Sequence, residues 1–316
     1  MLDNFPEFKH QKSRILILGY GDIARRIIKQ KLNNLSSKNI KFLTVSRSDS
    51  EFKKSFETKN TNVNNFSHIS IDLDTSARVK RIVHICDRVI VLFPTKKADS
   101  RGIEANYDRR ANIISSLIKK TIHNKVKGVY ISTTGVYGDA NGALIDETYK
   151  CAPLNKRSKR RLSAENYFRK RLNFNILRVP GIYSDDRLPT DRLKAQRPIL
   201  NDKDDIYTNH IHADDLARVV FVALFRGLPS RVINVIDDSN LKMGEYMRLI
   251  AKKFKLKEPP SVDLNDLKKK VSKGEISAMA GSFFLESRQI KNDRLKEELQ
   301  IRLKFPTVKK TLKEIK

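Results

Sequence analysis

Two glycines separated by one residue stand near the start of the chain, in the stretch RILILGYGDIARRI. Gly19 and Gly21 follow an apolar run, and Ala24 takes a third small position. In such a pattern the first glycine permits a tight turn, the second lets the backbone approach a diphosphate, and the third small residue lets a helix pack on a strand. Asp22 and Ile23 would open that helix, whose first N–H groups can bind phosphate oxygens. The spacing favours a dinucleotide-binding loop over a simple tight turn.

The residues at the ends of the second and third apolar runs bear on which dinucleotide would bind. Dinucleotide folds that take NAD place Asp or Glu at the end of the second strand, whereas this chain has Ser46 and Arg47. Because an arginine pairs with a phosphate that a carboxylate would repel, we expect NADP, with NAD less favoured. The alternative is that Arg47 is one more surface cation. Asp72 and Leu73, which end the third predicted strand, are expected beside the adenine.

The chain is strongly basic, with 64 Lys and Arg against 36 Asp and Glu, a formal net charge of +28. Such a charge attracts anions, including nucleic acids and phosphorylated substrates. The cations are scattered along the chain, and no zinc finger, RNP-type aromatic motif or GxxG clamp accompanies them. A solvated basic surface is therefore favoured, and nucleic-acid binding remains a weaker hypothesis.

The lengths of the apolar runs and the number of cysteines indicate the cellular compartment of the protein. No apolar run approaches the roughly 20 residues needed to span a bilayer, and the first residues lack the apolar stretch of a secretory signal. Cys86 and Cys151 cannot form a disulfide framework or a CxxC metal site. We expect a cytoplasmic protein with no membrane association and no bound metal.

Short apolar runs alternate with helix-compatible segments over the first two-thirds of the chain. The runs predicted as strands are 14–19, 40–46, 68–74, 88–94, 127–133 and 174–181, and the helical segments are 23–35, 109–123 and 159–172. Nearly continuous apolar runs are typical of parallel strands that are covered on both faces. The alternation predicts an α/β fold, a doubly wound (Rossmann) parallel sheet with its ligand crevice at the carboxyl ends of the strands.

The regular alternation of strand and helix patterns becomes weaker after about residue 180. A helix is predicted to open at the acidic stretch 213–215, a strand at 231–237, and a basic helical tail over about 240–316 with a flexible stretch at 262–275. We therefore predict a Rossmann domain and a smaller C-terminal substrate lobe. The Rossmann domain would span 1–185 and be completed by about 209–238, and the lobe would comprise 186–208 and 239–316.

Several segments in order resemble one superfamily. They are STTGVYGD (132–139), LRVPGIYS (177–184), HIHADDLARVV (210–220), RVINVIDD (231–238) and, near the end, SRQIKNDRLKEEL (287–299) with LKFP (303–306). Together they resemble the extended short-chain dehydrogenase/reductase superfamily, in its NAD-dependent epimerase/dehydratase-like branch. The resemblance implies an oxidoreductase or epimerase that moves a hydride to or from a nicotinamide. It also implies a small-molecule substrate, for example a nucleotide sugar, and often a homodimer.

The resemblance also implies a catalytic set that this chain meets only in part. A Ser or Thr after the fifth strand would bond the substrate oxygen, and Thr133, with Thr134 beside it, fits that position. The superfamily then has Tyr-x-x-x-Lys on the next helix, where this chain has Arg157 and Arg161. A guanidinium, with a pKa above about 12, stays protonated and does not replace a phenol as proton donor.

Three explanations of this departure stay open. Another residue could supply the proton: Tyr137 first, then Tyr183, which is also predicted to bind the substrate, and then His210 or His212. The protein could instead bind NADP and do no chemistry, as a sensor or regulatory protein.

The third explanation is an anionic substrate. Arg157 and Arg161 are one helical turn apart, so both could clamp a phosphate or carboxylate, while Arg161 could also contact the nicotinamide ribose. Pro94 replaces the glycine-rich turn that many relatives show after the fourth strand, and would line the path of the cofactor.

Overall fold

The computed structural model describes residues 13–32, 39–47, 65–74, 76–95, 105–122, 126–277, 281–282 and 284–315. Its strands are β1 Ser13–Leu18, β2 Ile40–Ser46, β3 Phe66–Ser70, β4 Arg88–Val91, β5 Lys127–Thr133, β6 Leu144–Ile145, β7 Asn175–Val179, β8 Gly181–Tyr183, β9 Ile199–Leu200, β10 Tyr207–Thr208, β11 His210–His212, β12 Val232–Asn234, β13 Leu241–Lys242, β14 Ser261–Val262 and β15 Gln289–Ile290. Its α-helices are α1 Asp22–Leu32, α2 Ser76–His84, α3 Arg109–Ile122, α4 Lys156–Leu172, α5 Thr190–Lys194, α6 Ala213–Arg226, α7 Met243–Lys253, α8 Leu264–Ser272, α9 Asp293–Glu297 and α10 Val308–Glu314.

Seven strands form the central parallel sheet, in the order β12-β7-β5-β4-β1-β2-β3. The order reverses next to β1, so the chain winds outward in both directions from that strand, as the predicted doubly wound fold requires. Ile15, Leu16 and Ile17 of β1 are fully buried because helices cover both faces of the sheet. The predicted fold class is confirmed.

Three predicted strands, β3, β4 and β12, end three or four residues earlier than expected, and a fourth is divided. β3 stops at Ser70, because Asp72 forms a tight turn in which its carboxylate accepts the Asp74 N–H at 3.0 Å. Asp72 and Leu73 therefore follow this strand instead of ending it. β4 stops at Val91, and the run predicted over 174–181 divides into β7 and β8 at Pro180, which has no N–H to donate to a strand partner.

The chain divides into two compact units. The first unit comprises Met1–Ser132, Arg160–Leu177 and Leu216–Val232, and the second comprises Thr133–Lys159, Arg178–Asp215 and Ile233–Lys316. These units are defined by which residues pack together in space, whereas the predicted domain boundaries were drawn from sequence motifs. Those boundaries remain a prediction.

The stretch 262–275, expected to be flexible, contains a helix instead. Asp263 caps α8 by accepting the Asp266 N–H at 2.8 Å, Leu267 is 1% exposed, and Gly274 ends the turn with φ = +76°. A capping carboxylate and a glycine in the left-handed region are ordinary helix boundaries, and the many lysines between them obscured this pattern.

An aromatic stack fills the core of the first unit. The ring of Phe168 lies between those of Tyr130, at 4.9 Å, and Phe174, at 5.8 Å. A Cβ placed on Gly128 of β5 would lie 2.3 Å from the Phe174 ring. The Phe174 ring fits against β5 only because residue 128 is a glycine, so the two residues depend on each other for this packing.

We predict that Gly128→Ala destabilises the protein by about 1–3 kcal/mol, because the added methyl group would overpack a fully buried ring. Gly21→Ala is the matched control, since a Cβ there meets no atom within 4 Å. Urea unfolding followed by circular dichroism measures both. Equal unfolding midpoints for the two variants would contradict this packing.

Candidate functional site

The glycine loop lies between β1 and α1, as predicted. Gly19 has φ = +109°, and a Cβ there would lie 2.9 Å from the backbone nitrogen of Phe93. Gly21 is different, because no atom lies within 4 Å of a Cβ built on it. Gly19 thus allows the end of β1 to lie close to the backbone of Phe93, and Gly21 leaves open space at the start of α1. Ala24 is fully buried where α1 packs on the sheet.

The start of α1 is suited to bind an anion through its main chain. The first N–H groups of a helix, here from Asp22 onward, have no intrahelical acceptor. The Asp22 carboxylate is bonded to Arg26 Nε at 2.9 Å, one turn along the helix. This ion pair offsets the negative charge that would otherwise oppose a phosphate, and Ile23 is partly exposed next to it. The loop therefore fits the diphosphate of a dinucleotide.

Polar residues occupy the ends of β2 and β3. Ser46 Oγ lies 3.2 Å from His68 Nε2, while the Arg47 side chain is exposed. Within the described ranges no carboxylate forms an ion pair with Arg47. Asp72 is also exposed, but Leu73 is 5% exposed and belongs to the core, so of this pair Asp72 alone offers its side chain to solvent.

Arg161 connects the carboxyl ends of two neighbouring strands. Its Nη1 donates to the Ile131 carbonyl in β5 at 3.1 Å, to the Phe93 carbonyl after β4 at 3.4 Å, and to the Tyr130 hydroxyl at 3.1 Å. Exposed Pro94 follows Phe93. Arg161, at the position where the resemblance expects a lysine, thus places a cation at the edge of the sheet where ligands of this fold class bind. One of its nitrogens is already hydrogen-bonded to carbonyl groups of the sheet.

Two buried acids, Asp108 and Glu165, lie near this edge. The Asp108 carboxylate caps α3 by accepting the Ala111 N–H at 3.0 Å. Burial raises its pKa, and the Ala111 hydrogen bond and then the charges of Arg161 and Arg110 partly offset that rise. Glu165 is 3% exposed and accepts a hydrogen bond from Ser132 Oγ at 2.5 Å. An acidic residue one position before a helix was the sequence signal for Asp108.

Thr133 ends β5 and caps the short 3-10 helix Thr134–Val136, because its Oγ1 accepts the Gly135 N–H at 3.2 Å. A hydroxyl that accepts one hydrogen bond still has its own proton to donate. Thr133 is partly exposed, whereas Thr134 is 4% exposed. Of the two threonines, Thr133 is the one able to bond a substrate oxygen.

The Tyr137 hydroxyl is buried and already bonded. It donates to Asn234 Oδ1 at 2.7 Å, and the Arg178 guanidinium lies 4.6 Å from the ring centre. Burial raises the pKa of Tyr137 to about 12, although Arg178 opposes the rise. This environment is that of a packing residue, and the catalytic role considered for Tyr137 gains no support from it.

The other proton-donor candidates are buried in the second unit. The Tyr183 hydroxyl lies 3.2 Å from Thr311 Oγ1, and burial raises its pKa. His210 stacks on Tyr246, and burial lowers its pKa to about 3, so it is neutral at pH 7. His212 accepts the Asp214 N–H through Nδ1 at 3.2 Å. These side chains pack, and the substrate-binding role predicted for Tyr183 stays a prediction.

Two pairs of distant motifs hold each other in place within the second unit. The Asp215 carboxylate accepts the N–H groups of Lys304 and Phe305 at 3.0 and 2.7 Å, and the His212 ring stacks on Phe305 at 3.7 Å. These contacts join HIHADD to LKFP. Similarly, Arg288 Nη1 donates to the Gly138 carbonyl at 2.6 Å, which joins SRQI to VYGD.

Arg157 is exposed in the first turn of α4, where Asn155 caps the helix by accepting the Ser158 N–H at 2.8 Å. No acidic residue stands in that first turn. Arg157 is therefore an exposed cation at the positive end of a helix, where it can attract an anion. The joint clamp of Arg157 and Arg161 remains a prediction.

Among the residues that the structure describes, no three or more His, Cys, Asp and Glu side chains cluster in a way that could hold a metal ion. Every helix described there also falls short of the length and apolar character that a membrane span requires.

Solved structures share this fold. A functionally unknown conserved protein from Silicibacter pomeroyi has a TM-score of 0.72 at 23% identity, over 96% of this chain and 98% of that chain. A dTDP-glucose 4,6-dehydratase from Bacillus anthracis in complex with NAD scores 0.71 at 16% identity, over 96% and 95%. A UDP-glucuronic acid 4-epimerase from Bacillus cereus in complex with NAD scores 0.69 at 16%, over 96% and 99%.

No protein-family model matches the sequence, and no curated protein matches it. At these identities the structural likeness shows the fold. The chain has the Rossmann-like fold of the solved dehydratase and epimerase, as its motifs predicted.

A buried carboxyl and a buried imidazole make opposite contributions to stability. Burial raises the pKa of Asp237 from 3.8 to about 7, so its contribution to the free energy of unfolding falls as pH rises through that window. Burial lowers the pKa of His210 from 6.5 to about 3, so its contribution rises with pH between those values. From about pH 4 to about pH 6.5 the two contributions oppose each other.

We predict that Asp237→Asn removes the opposing contribution of Asp237, so that the pH dependence of the free energy of unfolding reflects His210. The free energy of unfolding should then rise with pH between about 4 and 6.5 more steeply than in the unmodified protein, by on the order of 1 kcal/mol per pH unit. Urea unfolding at several pH values measures the slope. The exposed Asp191→Asn variant should keep the original slope, and an unchanged slope in Asp237→Asn would disprove the assignment.

Proposed function

We propose that this chain binds a nicotinamide dinucleotide and is an oxidoreductase or epimerase of the short-chain dehydrogenase/reductase type. The observation that carries the proposal is the open space over Gly21, at the first N–H groups of α1 and the end of the first parallel strand. A diphosphate fits there because main-chain donors and the positive end of the helix dipole converge on it. When bound, the nicotinamide would supply a hydride donor or acceptor.

The remaining cofactor contacts are assigned to Ser46 and Arg47, to Asp72 and Leu73, and to Pro94 and Arg161. Two features bear on the choice of dinucleotide. The solved dehydratase and epimerase carry NAD, which supports NAD here. Exposed Arg47, with no carboxylate beside it in the described chain, supports NADP. Arg47 is therefore the residue that decides between them.

The proposed substrate is a small anionic molecule, for example a nucleotide sugar. Its support is the exposed cation Arg157, and a solved UDP-glucose 4-epimerase from Thermotoga maritima with UDP-glucose has the same fold. Thr133 would donate a hydrogen bond from its hydroxyl group to the substrate oxygen. Such a donor stabilises the negative charge that develops on a carbonyl oxygen.

A specific observation favours a second candidate function, a non-catalytic NAD(P) sensor. Arginines replace the Tyr-x-x-x-Lys pair, and the hydroxyls of Tyr137 and Tyr183 are buried and bonded. A protein of this kind would bind the dinucleotide without turnover.

We predict that Gly21→Val weakens dinucleotide binding at least about tenfold, because the side chain would fill the space assigned to the diphosphate. Isothermal titration calorimetry with NAD and NADP measures the affinities, and Lys29→Ala, exposed on the same helix, is the control. Arg47→Asp, titrated in parallel, should shift the preference toward NAD. If neither NAD nor NADP gave a binding heat, the proposal would be overturned. An unchanged preference between NAD and NADP in Arg47→Asp would overturn the role of Arg47.

We predict that Thr133→Val lowers turnover by about 100-fold, the usual effect of losing one donor to a developing oxyanion. Change in nicotinamide absorbance and product chromatography over a panel of carbonyl compounds and nucleotide sugars measures it. Thr148→Val removes an exposed hydroxyl bonded to Asp146 and should have no effect. Binding without turnover on the whole panel would establish the second candidate instead.

A further inference from the structure

A second candidate binding surface belongs to the first unit, which carries most of the net charge of the chain. Lys and Arg outnumber Asp and Glu by 34 to 13 in the first unit, but only by 30 to 23 in the second. The excess of positive charge is therefore concentrated in the unit that contains the parallel sheet. A strongly basic surface attracts polyanions.

The cations of this unit gather where its helices end. Helices that connect parallel strands run against them, so α1, α2, α3, α4 and α6 end at the edge of the sheet where the strands begin. We call this edge, which lies opposite the glycine loop, the amino edge. The last turn of each of these helices contains a basic residue and no acidic one. The exposed ones include Arg81, Lys119, Lys120, Arg169 and Lys170.

The starts of the strands add cations to the amino edge. Arg14 of β1, Lys41 of β2 and Lys127 of β5 are exposed there. The helix dipole favours cations at the ends of helices, but a sheet has only a small net dipole and gives no such preference. The helix dipole therefore does not account for the basic edge as a whole.

Side-chain contacts connect these chain ends, and little negative charge lies among them. The Arg88 guanidinium at the start of β4 is 4.5 Å from the centre of the Phe225 ring at the end of α6. Arg169 Nε donates to the Ser230 carbonyl, just before β12, at 2.9 Å. Of the residues described in these helix ends, strand starts and intervening turns, Asp87 alone is acidic, and it pairs with Arg88 at 2.9 Å. The amino edge is thus a cationic surface.

We propose that the amino edge binds the phosphate backbone of double-stranded nucleic acid. Exposed lysines and arginines contact the phosphates of a duplex without reading its bases. Single strands are held instead by bases stacked on aromatic rings, and membrane surfaces favour Trp and Tyr anchors. No Phe or Tyr is exposed at the described amino edge, and the chain contains no Trp. Exposed Ile85 and Leu228 make an anionic membrane the competing partner.

Fluorescence anisotropy of the full chain with a short labelled DNA duplex of arbitrary sequence tests the proposal. The affinity should fall steeply between about 0.05 and 0.2 M salt, because binding releases cations condensed on the phosphates. A triple variant, Lys119→Gln, Lys120→Gln and Lys170→Gln, should weaken binding at least about tenfold. It should also make the slope of log affinity against log salt shallower by about two to three, since each phosphate contact contributes about 0.9. Arg81→Gln with Lys127→Gln is the second variant if the triple variant does not fold.

A matched variant controls for net charge. Lys252→Gln, Lys269→Gln and Lys313→Gln remove the same charge from exposed positions in the last turns of helices of the second unit, and should leave duplex binding unchanged. Gly21→Val should also retain duplex binding, because the glycine loop lies at the carboxyl edge of the sheet. Retained duplex binding in Gly21→Val supports the amino edge whether or not NAD and NADP bind.

Four results would overturn the proposal. Equal weakening by the two triple variants would show a general effect of net charge, and loss of binding in Gly21→Val would assign the phosphates to the glycine loop. Duplex binding that is absent or insensitive to salt would exclude a phosphate-binding surface. Binding to single-stranded RNA, or to vesicles of phosphatidylserine and phosphatidylcholine, without binding to the duplex would identify a different partner.

Discussion

The close approach of two backbones at Gly19 is the constraint on which the first unit depends. The end of β1 lies so near the chain after β4 that a Cβ on Gly19 would be 2.9 Å from the Phe93 nitrogen. Because the strand ends here in a left-handed conformation, the chain can turn at once into α1. The first N–H groups of the helix then lie at the carboxyl edge of the sheet, beside the open space at Gly21. A bulkier residue at Gly19 would move both the turn and the helix start.

Arg161 gives the same edge a different chemistry from that of a Tyr-x-x-x-Lys enzyme. Carbonyl oxygens gather at the carboxyl end of a parallel sheet, and one Arg161 nitrogen bonds those of Ile131 and Phe93. A guanidinium has enough donors to serve the sheet and still face a ligand, whereas an ammonium has three. The replacement therefore keeps a cation at this edge without the phenol of the Tyr-x-x-x-Lys pair, and this is why we propose Thr133 as the hydroxyl that contacts a substrate.

Motifs that look catalytic in the sequence divide here into binding and packing roles. The acidic stretch of HIHADD holds the LKFP segment through Asp215, and Tyr137 of VYGD completes a buried network with Asn234 and Arg178. Buried hydroxyls with satisfied partners stabilise a fold and resist ionisation. The exposed groups that support the proposed function lie elsewhere, in the glycine loop, at Arg47 and at Arg157.

Patterns of short range determined the parallel sheet, the glycine loop and the start of α6, because β-branched runs, glycine spacing and acidic helix starts act within a few residues. Strands 40–46 and 127–133 were predicted to the residue. Only tertiary structure decided the rest. The burial of Tyr137, Tyr183 and His210 does not follow from their neighbours in sequence. Each depends on side chains as much as 128 residues away, as for Tyr183 and Thr311, and no local spacing records such contacts.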